Sequence, residues 1–380
     1  GRMRKFATVS YNLYGNFTNY GSALQTYALR RAISELAPSE VEAIVLDYCP
    51  DCLRENDPLN PAKRMWDADE ESRRMVELTM PAIRENYVKF DRFYHEECNL
   101  SKGSYTSSNF DDSLAAEGLD GYVCGSDTIF CIREFDGFDD GYFANFPVMR
   151  NRSISYAASF GDVDWTEDEI ETLKERLANF KALGVREGGT DFEWIQANVD
   201  VPVTRVLDPT LLLTGADYAP IVGEPQMDEP YVLLYSRRYN PSMEAYADRV
   251  AERLGYKVVD ISLRATNAER GHVMRYDAGV EEFLALTKEA RYVVTNSFHG
   301  LIFAAQMHTP FSVFSREQAD TKISQLLAWL GLSNRAMVSG DEDVPLEMNF
   351  NDMESRLAGL RESSLDYLRG GLRLLGAECL

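Results

Sequence analysis

Polar residues able to do chemistry gather where apolar runs end. In "VVTNSFHGLIFAAQM" a β-branched stretch delivers Thr295, Asn296 and Ser297, then turns at His299 and Gly300 into an apolar helix. A helix N-terminus attracts negative charge, so an imidazole placed there suits anion binding or proton donation. The competing reading is a neutral core histidine bonded to backbone. In "GVREGG" Arg186 stands at a strand end before Glu187 and two glycines. Its planar fork matches a carboxylate or phosphate, and a salt bridge to Glu187 is the plainer alternative. In "GSD" Asp127 follows an apolar strand and could take a proton, bind a hydroxyl or cap the next turn. The turn "GNFTNYGSALQ" holds Asn16, Asn19, Gly21 and Ser22 ahead of a helix whose first amides could meet an anion or a sugar hydroxyl. It also reads as an Asn/Gly turn with a Ser cap. "SREQADTKISQ" adds Arg316 and Lys322 near another helix start, where lysines are ordinarily solvated.

Composition limits the partners. Lys and Arg number 39 against 61 Asp and Glu, a net charge of −22, which argues against nucleic acid. An anionic ligand then needs a local group of cations or helix N-termini. Of the six cysteines only Cys49 and Cys52 show suggestive spacing, and no second C-x-x-C or H-x-x-H completes a metal site. They read as incidental thiols, and neither metal nor cofactor is expected. No apolar run reaches the roughly 18 to 20 residues of a membrane span, and the start lacks a signal-peptide core, so a cytoplasmic location is expected.

These motifs need a scaffold, and the pattern supplies one. Strand-like runs "KFATVSYN", "VEAIVLDY", "GLDGYVCGSDTIF", "RSISYAASFG" and "NFKALGVREGG" alternate with helical segments, as in a parallel sheet covered by helices. A charged helical excursion over residues 58–98 interrupts them. Gly, Pro and acidic residues near 214–229 mark a boundary, after which "PYVLLYS", "YKVVDIS", "RYVVTNS" and "PFSVFS" alternate with helices again. The expected fold is α/β with two doubly wound Rossmann-like domains, residues 1–215 and 225–345. An amphipathic helix within residues 350–380 could pack on either.

Taken in order, "GNFTNYGSALQTYAL", "YVCGSDTIF", "DGYFANF", "ISYAASFG", "LGVREGGT", "VLDPTLLL", "YVLLYS", "VVTNSFHGLIFAAQMHTPF" and "KISQLLAWLGL" resemble the polysaccharide pyruvyl transferase family over roughly residues 5–335. The resemblance implies a two-domain, GT-B-like fold with its substrate cleft between domains. It also implies transfer of pyruvate from phosphoenolpyruvate (PEP) to a sugar of a polysaccharide or glycan precursor as a cyclic ketal, as in exopolysaccharide biosynthesis. No cofactor is called for, PEP being the donor substrate.

By the same resemblance, His299 becomes general acid or phosphate ligand. Arg186 holds carboxylate or phosphate, and Lys322 is a third donor contact. Ser297 and Gly300, in the histidine motif, are expected to bind substrate as well. Contacts to the acceptor, free or lipid-linked, fall to Asn16, Asn19, Tyr20, Gly21 and Asp127. The family commonly follows Gly-Ser-Asp with Gln and, two residues later, Trp, where this chain has Thr128 and Phe130. The rival expectations are a GT-B glycosyltransferase using a nucleotide sugar and a non-enzymatic carbohydrate-binding protein.

Overall fold

A computed structural model describes residues 2–11, 18–61, 69–162, 164–316 and 319–380. The chain divides into two compact units. The first comprises residues 1–56, 92–213 and 359–380, and the second residues 57–91 and 214–358.

In the first unit the strands are β1 (Arg4–Val9), β2 (Val41–Cys49), β3 (Leu100–Thr106), β4 (Gly121–Cys124), β5 (Ser153–Ala158), β6 (Phe180–Val185) and β7 (Val203–Arg205). They form one sheet in the order β3-β2-β1-β4-β5-β6-β7, every pairing parallel. The helices are α1 (Tyr20–Leu36), α2 (Glu70–Glu97), α3 (Phe110–Ser113), α4 (Glu167–Leu177) and α5 (Gly189–Asn198), of which α2 lies largely within the second unit. The helix starts obey local chemistry. Thr166 and Glu169 close a reciprocal capping box on α4, and Asn19 caps α1 by accepting from the amides of Gly21 at 2.8 Å and Ser22 at 3.3 Å.

The second unit holds β8 (Tyr231–Tyr235), β9 (Lys257–Ile261), β10 (Val273–Met274), β11 (Tyr292–Thr295), β12 (Phe311–Phe314) and β13 (Ala336–Met337). Their order is β10-β9-β8-β11-β12-β13, again all parallel. Its helices are α6 (Pro241–Leu254), α7 (Val280–Glu289), α8 (Phe298–Gln306) and α9 (Asp320–Leu330). Asn240 and Pro241 start α6, and Gly255, at φ 73°, ends it in the left-handed conformation that a Cβ would disfavour. The last helix, α10 (Asn351–Leu374), begins in the second unit and finishes in the first.

Both sheets are therefore doubly wound. Strand order reverses between β1 and β4 in one, and between β8 and β11 in the other. Open α/β sheets bind ligands at the carboxyl ends of strands at such reversals, because the flanking loops diverge there and leave a crevice. At these reversals β4, β8 and β11 are buried throughout and β1 over its last four residues, so their carboxyl ends are where polar groups can be offered.

Candidate functional site

In the first unit the reversal point is built on one buried amide side chain. Gln25 of α1, fully buried, accepts from the Ser126 amide at 2.9 Å and its hydroxyl at 2.8 Å. Its Nε2 donates to the Ser22 carbonyl at 3.0 Å. Ser10, just beyond β1, donates to the Ser126 carbonyl at 2.8 Å. This lattice fixes the Gly-Ser-Asp turn. Asp127 stands at φ 68°, its Oδ1 accepting from the Thr128 amide at 3.0 Å and its carbonyl from the Ser159 amide at 3.0 Å. Asp127 thus shapes its own turn while lying at the strand ends. Beside it, Glu134 Oε2 accepts from Thr128 Oγ1 at 2.8 Å and from the Tyr11 phenol.

The other expected residues of the N-terminal turn are placed as follows. Asn19 spends its side-chain oxygen on the α1 cap. Tyr20 and Gly21 are buried in the first turn of α1. Asn16 lies outside the described residues.

Arg186 follows β6 and is half-buried. Its Nη2 donates to Ser159 Oγ at 2.8 Å. Ser159 in turn donates to Glu187 Oε1, which also accepts from the Phe160 amide at 3.2 Å. Glu187 is buried, and burial pushes its carboxyl above the usual range against the opposing pull of Arg186 and these hydrogen bonds. Arg205, at the end of β7, lies against the backbone of Gly188, where an added Cβ would fall 2.4 Å from its guanidinium carbon. Burial draws Arg205 below its ordinary value, while the charge of Glu187 opposes that shift.

In the second unit the reversal point is the turn from β11 into α8. Thr295 Oγ1 donates to the Tyr235 carbonyl at 2.7 Å and accepts from the Ser297 amide at 3.0 Å. Ser297 caps α8 by accepting from the Gly300 amide at 3.0 Å. Gly300 is needed for close approach, since a Cβ there would lie 2.6 Å from Thr295 Oγ1. His299 is 9% exposed and so largely buried. Its ring meets Phe298 edge-on at 5.1 Å, and Lys322 Nζ of α9 lies 5.1 Å from the centre of that same Phe298 ring. Phe298 thereby ties Lys322 to the histidine turn.

Asn296, 1% exposed, ties three basic residues to this turn. Its Oδ1 accepts from the Arg237 amide at 2.8 Å, its Nδ2 donates to the Arg238 carbonyl at 2.9 Å, and its own carbonyl accepts from Arg316 Nε at 3.1 Å. Arg237 and Arg238 are held to this turn through their backbone and Arg316 through its guanidinium, and all three, like Lys322, are half-buried. The motif reading singles out neither Arg237 nor Arg238, although an Arg-Arg pair directly after the apolar run "YVLLY" was the available signal. Arg205 gave none, because β7 is three residues long.

The comparisons with known proteins decide the family. The model of the family described as polysaccharide pyruvyl transferase matches residues 19–318, most of the chain. The chain belongs to the polysaccharide pyruvyl transferase family. No curated protein matches it. Among solved structures, a putative UDP-N-acetylglucosamine 2-epimerase from Listeria monocytogenes is similar with TM-score 0.51 and 11% identity, over 100% of this chain and 92% of that one. An S. aureus MnaA solved with UDP gives TM-score 0.50 and 12% identity over 99% of each chain. At such identity the likeness shows the fold alone, which is GT-B-like in having two parallel-sheet α/β units. Family membership thus carries a transferase reading that the fold by itself would leave open.

Proposed function

We propose that this family member transfers pyruvate from PEP to a sugar as a cyclic ketal. The observation that carries the reading is the placement of His299 at the N-terminus of α8, at a strand-order reversal, within the neighbourhood of Arg316 and Lys322. PEP brings a carboxylate and a phosphate, and ketal formation needs cations for both together with a positioned acid. A proton added to the PEP methylene makes C2 electrophilic, and one sugar hydroxyl attacks it, releasing its proton. Phosphate leaves with the C2–O bond, and a second hydroxyl of the sugar closes the ring, releasing its proton. His299 supplies the proton or holds the phosphate. The family resemblance assigns Arg186 to carboxylate or phosphate and Lys322 to a remaining donor oxygen. The acceptor is a glycan or lipid-linked sugar contacted by Asp127 and by the turn containing Asn16, Asn19, Tyr20 and Gly21.

The test is phosphate release from PEP across a panel of glycan acceptors, preceded by PEP titration in a thermal-shift assay. A rise in melting temperature with PEP and acceptor-dependent phosphate release are expected. Stabilisation by UDP- or GDP-sugars with none by PEP would replace this reading with nucleotide-sugar transfer.

A further inference from the structure

Arg186 carries donors only, since a guanidinium stays protonated in proteins. In its 2.8 Å contact with Ser159 Oγ, the serine must therefore be the acceptor. The single hydroxyl proton of Ser159 is then left for Glu187, whose Oε1 it meets. The direction of every hydrogen bond in the chain Arg186 to Ser159 to Glu187 follows without any choice of rotor.

The far end of this chain is fixed from several sides. Glu187 Oε1 also accepts from the Phe160 amide at 3.2 Å, and Ser159 Oγ accepts from the Gly161 amide at 3.2 Å. The Ser159 carbonyl accepts from the Phe130 amide at 3.1 Å and its amide donates to Asp127 at 3.0 Å. Ser159 is 1% exposed and Glu187 9%. The second carboxylate oxygen, Oε2, is buried and has no hydrogen-bond partner among the described residues. A carboxylate so enclosed is costly unless opposite charge lies beside it, and Arg186 and Arg205 are the cations whose charges act on it. The serine takes one N–H of Arg186 and stands between its guanidinium and Glu187 Oε1.

We propose that Glu187, acting through Ser159, is the positioning residue that sets the orientation of Arg186 for an anionic substrate. This deepens the pyruvyl transfer reading and rests on it for the identity of that anion. A displacement of the order of 1 Å in a group that must meet a specific oxygen can cost about 100-fold in rate, so the effect should be large without the relay touching substrate.

The test compares Ser159→Ala, Glu187→Ala, Glu187→Gln and the Ser159→Ala/Glu187→Ala double variant. All are assayed for PEP-dependent phosphate release with kcat and KM separated, and circular dichroism and melting temperature serve as folding checks. Each alanine variant should lower kcat/KM for PEP by about 10- to 100-fold while KM for the acceptor stays within about threefold. The double variant should be no worse than the poorer single one, because both cut the same chain. Glu187→Gln, which keeps an oxygen for the serine proton, should recover most of the loss. Additive effects, a silent Ser159→Ala, or a Glu187→Gln as poor as Glu187→Ala would overturn the proposal.

A readout independent of catalysis is the side-chain N–H exchange of Arg186 in arginine-labelled protein by NMR. Protection is expected in wild type and Glu187→Gln, with faster exchange in Ser159→Ala and Glu187→Ala. If wild type releases no phosphate from PEP with any acceptor, the pyruvyl transfer reading fails, and the exchange pattern alone then upholds or overturns the relay.

Discussion

His299 is the residue on which the chemistry turns. Substituting it by alanine should reduce kcat for phosphate release by about 100- to 10,000-fold, the usual contribution of a positioned acid. Because the ring is largely buried at 9% exposure, circular dichroism and the melting temperature of the variant are needed to separate loss of chemistry from loss of fold. An unchanged kcat would remove it from the mechanism. A different residue governs pH stability. Asp139 is buried in the first unit, where its Oδ2 accepts from the Tyr48 phenol at 2.8 Å and the Tyr142 amide at 2.9 Å. Burial nonetheless pushes its carboxyl up to about 6. An unfolded Asp titrates near about 4, so between these values the folded state holds the extra proton. The stability contributed by the neutral form is present below the unfolded value and lost as pH rises through about 6. Urea titrations should show wild type losing about 2 kcal/mol relative to Asp139→Asn between pH 4 and 7. A gap between the two proteins that stays constant with pH would refute this.

At the scale of elements, α8 depends on its own first turn. Ser297→Ala removes the cap on the Gly300 amide and should cost about 1 kcal/mol, read from chemical denaturation. Gly300→Ala should cost more, about 1–3 kcal/mol, because its Cβ meets Thr295 Oγ1 and the Tyr235 ring. Both should also lower activity, since each moves the residue beside His299. Elements with strong local signals were legible from residue types. The β-branched run around Val293 and Val294 reads as a strand, and Asn240-Pro241 reads as a helix start. The edge strands β3, β7, β10 and β13 were not legible. Two of them are two residues long, and β3 is only partly buried, so its sequence lacks an apolar pattern. They are strands because a neighbour supplies half of their hydrogen bonds.

For the whole molecule, the decisive fact is that the chain visits each unit more than once. Residues 57–91 belong to the second unit, where Asn86 Nδ2 donates to the Ala278 carbonyl at 2.8 Å and Lys89 pairs with Glu282 at 2.6 Å. Residues 359–380 return to the first, burying Leu368, Leu372 and Leu375 against Phe6, Ile154 and Tyr156. At about 1.5–3 kcal/mol per buried leucine, the loss of these three approaches the whole stability of a domain. A chain ending at residue 358 should therefore lose amide protection in β1 to β7 while retaining it in β8 to β12, as read by hydrogen exchange. Protection surviving in β1 to β7 would show that α10 is dispensable to that unit. Among the described residues no helix is long and apolar enough to cross a membrane.

The amino-acid sequence by itself determined the α/β alternation, the Gly-rich turns at strand ends, the charge that any anion must overcome, and the ordered motifs of the family. These are properties of neighbours along the chain, encoded by periodicity, turn residues and caps. Only the tertiary structure decided that β11 lies beside β8, so that Asn296 reaches Arg237 across 59 residues of sequence. It also decided that Ser159 stands between Arg186 and Glu187. Strand order in a parallel sheet is set by burying both faces and by the hand of the crossovers, which no local window of residues records.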